Sequence, residues 1–444
     1  MNKRIDIVKD IAKQIDQLGG KVFYVGGFVR DRYLNIESED IDVEVYGISE
    51  EQLKDILTNY SKVLYYGKSF GIYSLKGYNI DFALPRKERP TGNKHTDFDI
   101  TIDPYLSYED GARRRDFTIN ALMQDVLSDE IYDYFDGLND LKKGILRCVN
   151  PNTFIEDPLR VLRACQFAAR FNFDIDENTV ALCSKIDISL LSKERVEAEL
   201  KKALLKANKP SIFFDNLRKM KHLSFWFKEI NDLIGIKQDP IYHPEGDVYT
   251  HTMEVIDRSS KYLNKVSNPY YFMLLALTHD LGKITTTEII NGRIHSYNHE
   301  FEGLVLVKSF IKRLTNEKDI MKYLNNMIPL HMRPLALAIQ NSSIKKTNKL
   351  FDEAICPKDL IYFALVDKKE VDLKYQEYLF DRYDIFLEIM SKDYVKGDDL
   401  IAAGLKPDND FKQILEFAHK LRLAGVNKED ALKQCLNYKI KPLN

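Results

Sequence analysis

The sequence predicts an α+β fold, a mixed-sheet head followed by an all-helical neck, body and tail. Strands alternate with helices up to about residue 145, and from about residue 150 apolar residues recur at helical spacing almost throughout. The 444 residues carry no internal repeat and no low-complexity segment, and they suffice for roughly two to four cored domains. The expected divisions are 1–148, 149–238, 239–390 and 391–444, with the third opening in the stretch from Pro240 to Pro244.

Residues 3–18 read as an amphipathic helix through Ile5, Val8, Ile11, Ile15 and Leu18, stopped by Gly19-Gly20. KVFYVGG is a short buried strand that breaks at Gly26-Gly27, FVRDRYL opens a helix, and IDVEVYG alternates as a strand does. YSLKG and YNIDFAL make a hairpin across Gly77-Tyr78. The stretch from Arg86 to Gly111 is polar without a firm period and is expected to be a mobile loop. Helical spacing follows in RVLRACQFAARF and RVEAELKKALL, and a short helical tail follows KGDDLIAAG.

Composition excludes several classes. Hydrophobic residues are 44% and charged residues 30%, the balance of a folded chain rather than a disordered one. The net charge is −2, so a nucleic-acid partner has to be sought in local patches. One such patch is 193–221, where Lys193, Arg195, Lys201, Lys202, Lys206, Lys209, Arg218, Lys219 and Lys221 face four acids in sequence. The five cysteines form no CxxC pair, which fits a reducing, cytoplasmic setting. The opening residues lack an apolar signal core, and no run approaches the roughly 18 apolar residues of a membrane span, so no membrane partner is expected.

The chemistry starts at Asp40-Ile41-Asp42. Strand alternation puts both carboxylates on one face, about 6–7 Å apart at Cα, with Ile41 turned into the core. Two adjacent anions repel unless a cation lies between them, so the pair asks for a divalent ion, here Mg²⁺. Two such ions would activate an attacking hydroxyl and stabilise a leaving pyrophosphate. Upstream, Gly26-Gly27 lets the backbone approach a phosphate, and Arg30 is placed to neutralise triphosphate charge.

GGFVRD (26–31) followed by DID (40–42) resembles motif A of the class II CCA-adding enzymes and bacterial poly(A) polymerases. The resemblance implies Asp40 and Asp42 as catalytic metal ligands and suggests Asp81 as a third. RRRDFTINAL (113–122) resembles motif B, with Arg114 and Arg115 as phosphate donors and Asp116 as an acceptor for a ribose 2′-OH. YDYFDGLNDL (132–141) resembles the hinge motif C. In IEDPLRVLRACQFAARF a helix begins around Pro158 with Glu156 or Asp157 as cap. Asp157 and Arg160 then lie adjacent on one surface. An arginine donor beside a carboxylate acceptor matches the Watson–Crick edges of cytosine and adenine and mismatches those of uracil and guanine. EDxxR resembles motif D, which templates the incoming base in the family; Arg163 is grouped with this nucleotide site. LLSKERVEAEL (190–200) resembles motif E, which braces the neck.

Six of nine histidines fall within 243–331: His243, His251, His279, His295, His299 and His331. HPEGDVYTHTM, THDLGK and NHEFEG resemble an HD-type phosphohydrolase domain. That resemblance implies His251, His279, Asp280 and Asp367 as ligands for Mg, Mn, Ni or another divalent ion, with His299 and His331 for a second. The partners implied are tRNA, CTP and ATP. Three alternatives stay open: addition of only CC or only A, poly(A) synthesis, and HD hydrolysis with a head that merely binds RNA. Lys68-Ser69-Phe70 stands where the polyadenylating branch carries paired basic residues before Phe, which argues for CCA addition. The 86–111 loop governs the switch to A in the family, and its length favours the full reaction. KGDDLIAAGLKPDNDF (396–411) reads as a tail element that holds the tRNA elbow.

Overall fold

The computed structural model describes the backbone of residues 2–66, 71–90, 98–407 and 411–438, and the side chains of 3–65, 71–87, 101–407 and 411–438. The chain divides into two compact units, Met1–Ala203 with Ile212–His222, and Leu204–Ser211 with Leu223–Asn444.

In the first unit, helix α1 (Asn2–Gln17) buries Val8, Ile11, Ala12 and Ile15, the apolar face read from its spacing. It ends at Gly19, whose φ of 82° suits glycine. Strand β1 (Lys21–Val25) leads through Gly26 into the short helix α2 (Gly27–Tyr33), and β2 (Ile41–Tyr46) follows. Strands β3 (Val63–Tyr66), β4 (Ile72–Leu75) and β5 (Ile80–Ala83) come next. After them come β6 (Arg86–Pro90), β7 (Phe98–Ile102), β8 (Met123–Asp125) and β9 (Ile131–Tyr132). Seven of these form one sheet in the order β3-β4-β5-β2-β1-β8-β9. The β2–β5 pair is parallel and the other pairs are antiparallel, so the sheet is mixed as expected.

The expected loop from Arg86 to Gly111 is corrected in part. Strands β6 and β7 pair antiparallel, Arg86 opposite Ile102, and a helix runs over Tyr108–Arg113. The alternation of Phe98, Ile100 and Ile102 was the signal, masked by the polar strand opposite. Residues 91–97 of that stretch lie outside the described residues, as do Lys68-Ser69-Phe70 and 408–410 of the tail element.

The neck helices are Pro151–Phe154 and Leu159–Phe171. The side chain of Asp157 accepts from Leu159 N at 3.1 Å, so it caps the second as the sequence suggested. The second unit is helical apart from the hairpin Thr287–Ile290 and Arg293–Ser296. Its last helices, Gly397–Ala402, Phe411–Leu423 and Lys428–Leu436, pack around Leu400, Ile414, Ala418, Ala431 and Cys435. Among the described residues no helix is long and apolar enough to cross a membrane.

Candidate active site and metal centre

Strand β2 builds the first centre by its two-residue period. Ile41, Val43 and Val45 are 0%, 1% and 0% exposed in the core, while Asp42 and Glu44 take the other side and Asp40 stands in the bend just before the strand. The parallel partner β5 sets Asp81 in register with Asp42. Burial pushes the Asp42 carboxyl up to about 6, and the charge of Asp40 adds to this; Arg115 opposes it and Asp81 reinforces it. Burial and Asp40 raise Asp81 as well. Three carboxylates that repel one another, Asp42 and Asp81 partly buried and Asp40 exposed, fit a divalent cation by their donor chemistry. The side chain of Asp81 also accepts from Ser74 Oγ, which fixes its direction.

Gly26 lies against this group with φ of 64°, a conformation that suits glycine. A Cβ there would stand 3.1 Å from Arg115 Nη1 and 3.8 Å from Asp42 Oδ2, so a side chain at this turn would crowd both. Arg114 Nη2 and Arg115 Nη2 donate to Glu44 at 3.1 and 3.3 Å. Arg30 is placed beneath the turn, 3% exposed. Its guanidinium donates to Asp31 and Asn120 and stacks 4.6 Å over Phe171. Its charge reaches Asp42 from below, and it does not present a free fork at the surface.

Two further expectations are narrowed. Asp116 is buried, with Oδ1 accepting from Phe117 N at 2.8 Å and Asn120 Nδ2 at 2.9 Å, and Oδ2 from Arg163 Nε at 2.7 Å. Asp116 and Arg163 therefore brace each other across 47 residues of sequence. Each has its fork or carboxylate committed before any nucleotide arrives.

The two residues expected to read the base also have partners. Arg160 donates to Thr153 O at 2.7 Å and to Arg114 O at 2.9 Å, and Asp157 accepts from Arg195 Nη2 at 2.9 and 3.0 Å. Motif E thus supplies the arginine that holds Asp157. Asp157 is ion-paired with Arg195 and Arg160 is held by two carbonyls, so third parties position both residues. Arg160, Arg114, Arg86, Lys87, Asp110 and Glu156 line a cavity of about 370 Å³. Hydrogen bonds join Arg115 through Glu44 to Arg114, whose carbonyl holds Arg160, and the Arg115 charge acts on Asp42.

The second unit brings the predicted histidines and acids together at helix ends. His251 Nε2 stands 3.2 Å from Asp367 Oδ1, His279 Nε2 3.2 Å from Asp280 Oδ2 and 3.4 Å from Asp367 Oδ1, and His299 Nε2 3.2 Å from Asp280 Oδ1. Two triads result, His251/His279/Asp367 and Asp280/His299/His331, each with ligand atoms within 4.8 Å of one another. Nδ1 of His279, His299 and His331 lies 3.0, 2.8 and 2.6 Å from the carbonyls of Ala276, Ser296 and Ile328. That contact places the proton on Nδ1 and turns each Nε2 lone pair inward. Nε2 of His279 and of His299 is buried without a hydrogen bond, which fits a divalent ion. Burial lowers His279, but Asp280 and Asp367 raise it overall to about 9; an ion would have to displace that proton. Sequence reasoning missed Glu245, which lies 2.7 Å from His251 Nδ1 and 3.0 Å from His243 Nδ1, and Lys283, which donates to Gln238 at 2.8 Å beside Asp280. Glu245 stood in the HPEGD segment, within reach of the cluster by spacing alone.

Comparison with known proteins shows the family and the fold. Residues 22–147 match the Poly A polymerase head domain. The chain is 33% identical over 395 residues to the multifunctional CCA protein of Pasteurella multocida (strain Pm70), covering 85% of this chain and 91% of that one. It is 36% identical over 311 residues to the multifunctional CCA protein of Actinobacillus pleuropneumoniae serotype 5b (strain L20), covering 68% and 73%. Its fold is similar to that of the Thermotoga maritima CCA-adding enzyme complexed with tRNA, with a TM-score of 0.65 at 21% identity over 97% of this chain and 94% of that one. A CCA-adding enzyme in complex with ATP gives a TM-score of 0.67 at 20% identity over 100% and 96%. With a relative at 33% identity spanning most of both chains, and a nucleotidyltransferase head whose acids and arginines converge, this chain belongs to the family of the multifunctional CCA proteins.

Proposed function

We propose that Asp40 and Asp42, with Asp81 beside them, hold Mg²⁺ for the transfer of CMP and AMP from CTP and ATP to the 3′-hydroxyl of tRNA. The chain is a tRNA nucleotidyltransferase that adds or repairs the 3′-terminal CCA. The observation that carries the site is the run of hydrogen bonds from Arg115 through Glu44 and Arg114 to Arg160, with the Arg115 charge acting on Asp42. Divalent ions bound by these acids supply activation of the hydroxyl and stabilisation of the leaving pyrophosphate. The chain's own residues do the rest: Gly26 and Gly27 give the triphosphate close approach to backbone, and Arg114 and Arg115 offer charge-assisted donors. Asp157 and Arg160 read the base edge. Incubation with tRNA ending before CCA tests this reading: CTP alone should add C residues, and CTP with ATP should complete CCA. No incorporation with either nucleotide would refute the head assignment.

Replacing Arg160 by Ala should lower the preference for CTP over UTP roughly tenfold or more, because an unpaired base edge costs about 1–3 kcal/mol. The ratio of kcat/KM values checks this, since it is insensitive to the fraction of folded enzyme. A ratio equal to that of the parent would remove Arg160 from the reader.

We further propose a divalent-metal phosphohydrolase centre of HD type at His251, His279, Asp280 and Asp367, with His299 and His331 for a second ion, acting on phosphate esters of nucleotides or RNA ends. The inward-facing Nε2 atoms support this reading. The four-part division at 148, 238 and 390, an RNA track along 193–221 and a tRNA-holding tail belong to the same proposal, as does a cytoplasmic location, which the five free cysteines suit.

A further inference from the structure

We propose that Glu44 is the positioning residue that aims both arginines of the nucleotide seat, an inference that rests on the head reading above. Glu44 stands two residues after Asp42 on the same side of β2 and is 1% exposed. A carboxylate in such a place is costly unless it is paired and hydrogen-bonded. Three donors converge on it: Arg114 Nη2 at 3.1 Å, Arg115 Nη2 at 3.3 Å and Tyr46 OH at 3.0 Å.

The three partners point to different parts of the site. Arg115 reaches the Gly26 turn, 3.1 Å from where a Cβ would stand. Arg114 lines the cavity that Arg160 shares, and its carbonyl holds Arg160 at 2.9 Å. Tyr46 is itself wedged edge-on against Phe23 and Tyr108, with ring centroids 5.7 and 4.8 Å away, so its hydroxyl is a fixed post. One buried anion therefore sets the direction of two guanidinium groups, one toward the triphosphate and one toward the base reader. It cancels one of their two charges and leaves a net positive seat for phosphate. A buried ion pair is weak evidence for stability on its own. This one spans a strand and the RRRD turn, which is the geometry of a positioning device.

Glu44→Gln keeps the shape and removes the anion; Tyr46→Phe keeps the anion and removes its post. For Glu44→Gln we expect KM for CTP and ATP to rise roughly tenfold and the CTP-over-UTP ratio to fall by a similar factor, as directed charge-assisted bonds are lost. Tyr46→Phe should move both quantities in the same direction by a smaller factor. A purely structural role would lower the melting temperature and the active fraction while leaving KM and the ratio at parental values. Should Glu44→Gln fail to fold, as circular dichroism would show, Tyr46→Phe decides: unchanged KM and ratio overturn the inference. Parental protein that adds no C to tRNA would overturn the head reading and this inference together. Parental activity with both variants at parental KM would overturn this inference alone.

Discussion

Asp42→Asn should abolish nucleotide incorporation and make the metal-free protein more stable. The loss follows from the chemistry: removing one carboxylate of a metal pair takes away charge stabilisation worth several kcal/mol in the transition state, a fall of about 10³-fold or more. The gain follows from burial. In the fold the Asp42 carboxyl is pushed up to about 6 from an ordinary value of 3.8. The native state thus binds this proton more tightly than the unfolded chain does, so the contribution of Asp42 to stability falls as pH rises from about 4 to about 6 and is flat above. With no proton to lose, the asparagine variant should exceed the parent by about 1–3 kcal/mol at pH 7 in chelator, and converge with it near pH 4. Thermal melts in EDTA across that window measure the difference. Parental protein more stable than the variant at pH 7 would contradict the crowding of the three carboxylates. Proton competition also predicts that incorporation at limiting Mg²⁺ declines as pH drops below 6.

His279→Ala with Asp280→Ala should empty the second centre without silencing the first. These side chains are fully buried among His251, His299, His331 and Asp367 and point their ligand atoms at common positions. Loss of two ligands should weaken divalent-ion binding by at least about 100-fold, since even outer-shell partners are worth 10–100-fold. Any phosphatase activity should vanish with it. CTP incorporation should stay within about twofold, because none of these residues belongs to the unit that carries Asp40 and Asp42. Calorimetric titration with Mn²⁺ and a CTP incorporation assay on the same preparation read both outcomes. Unchanged Mn²⁺ binding would dismiss the centre.

What could be read from sequence was what depends on local period. The side of β2 that Asp42 takes follows from alternation, and helical spacing after residue 150 marked the largely helical part of the chain. The histidine centre was legible because its ligands sit at the ends of amphipathic or apolar helices, whose spacing stops there. Pairings across long sequence separations were not legible. Nothing local says that Arg163 is claimed by Asp116, 47 residues earlier, or that Asp157 is held by Arg195. By sequence Glu44 is one polar position of an alternating strand, and only its bonds to Arg114 and Arg115 make it a hub. By local period the β6–β7 hairpin reads as loop, because charged Arg86 and Lys87 dominate one strand, although the opposite strand alternates.

Diffraction from crystals grown with Mn²⁺ and a non-hydrolysable CTP analogue tests the central arrangement most directly. Anomalous peaks should fall between the carboxylates of Asp40 and Asp42, with the triphosphate along Gly26-Gly27 and the cytosine edge against Asp157 and Arg160. Manganese bound elsewhere in the head, or a cytosine turned away from Arg160, would contradict the account.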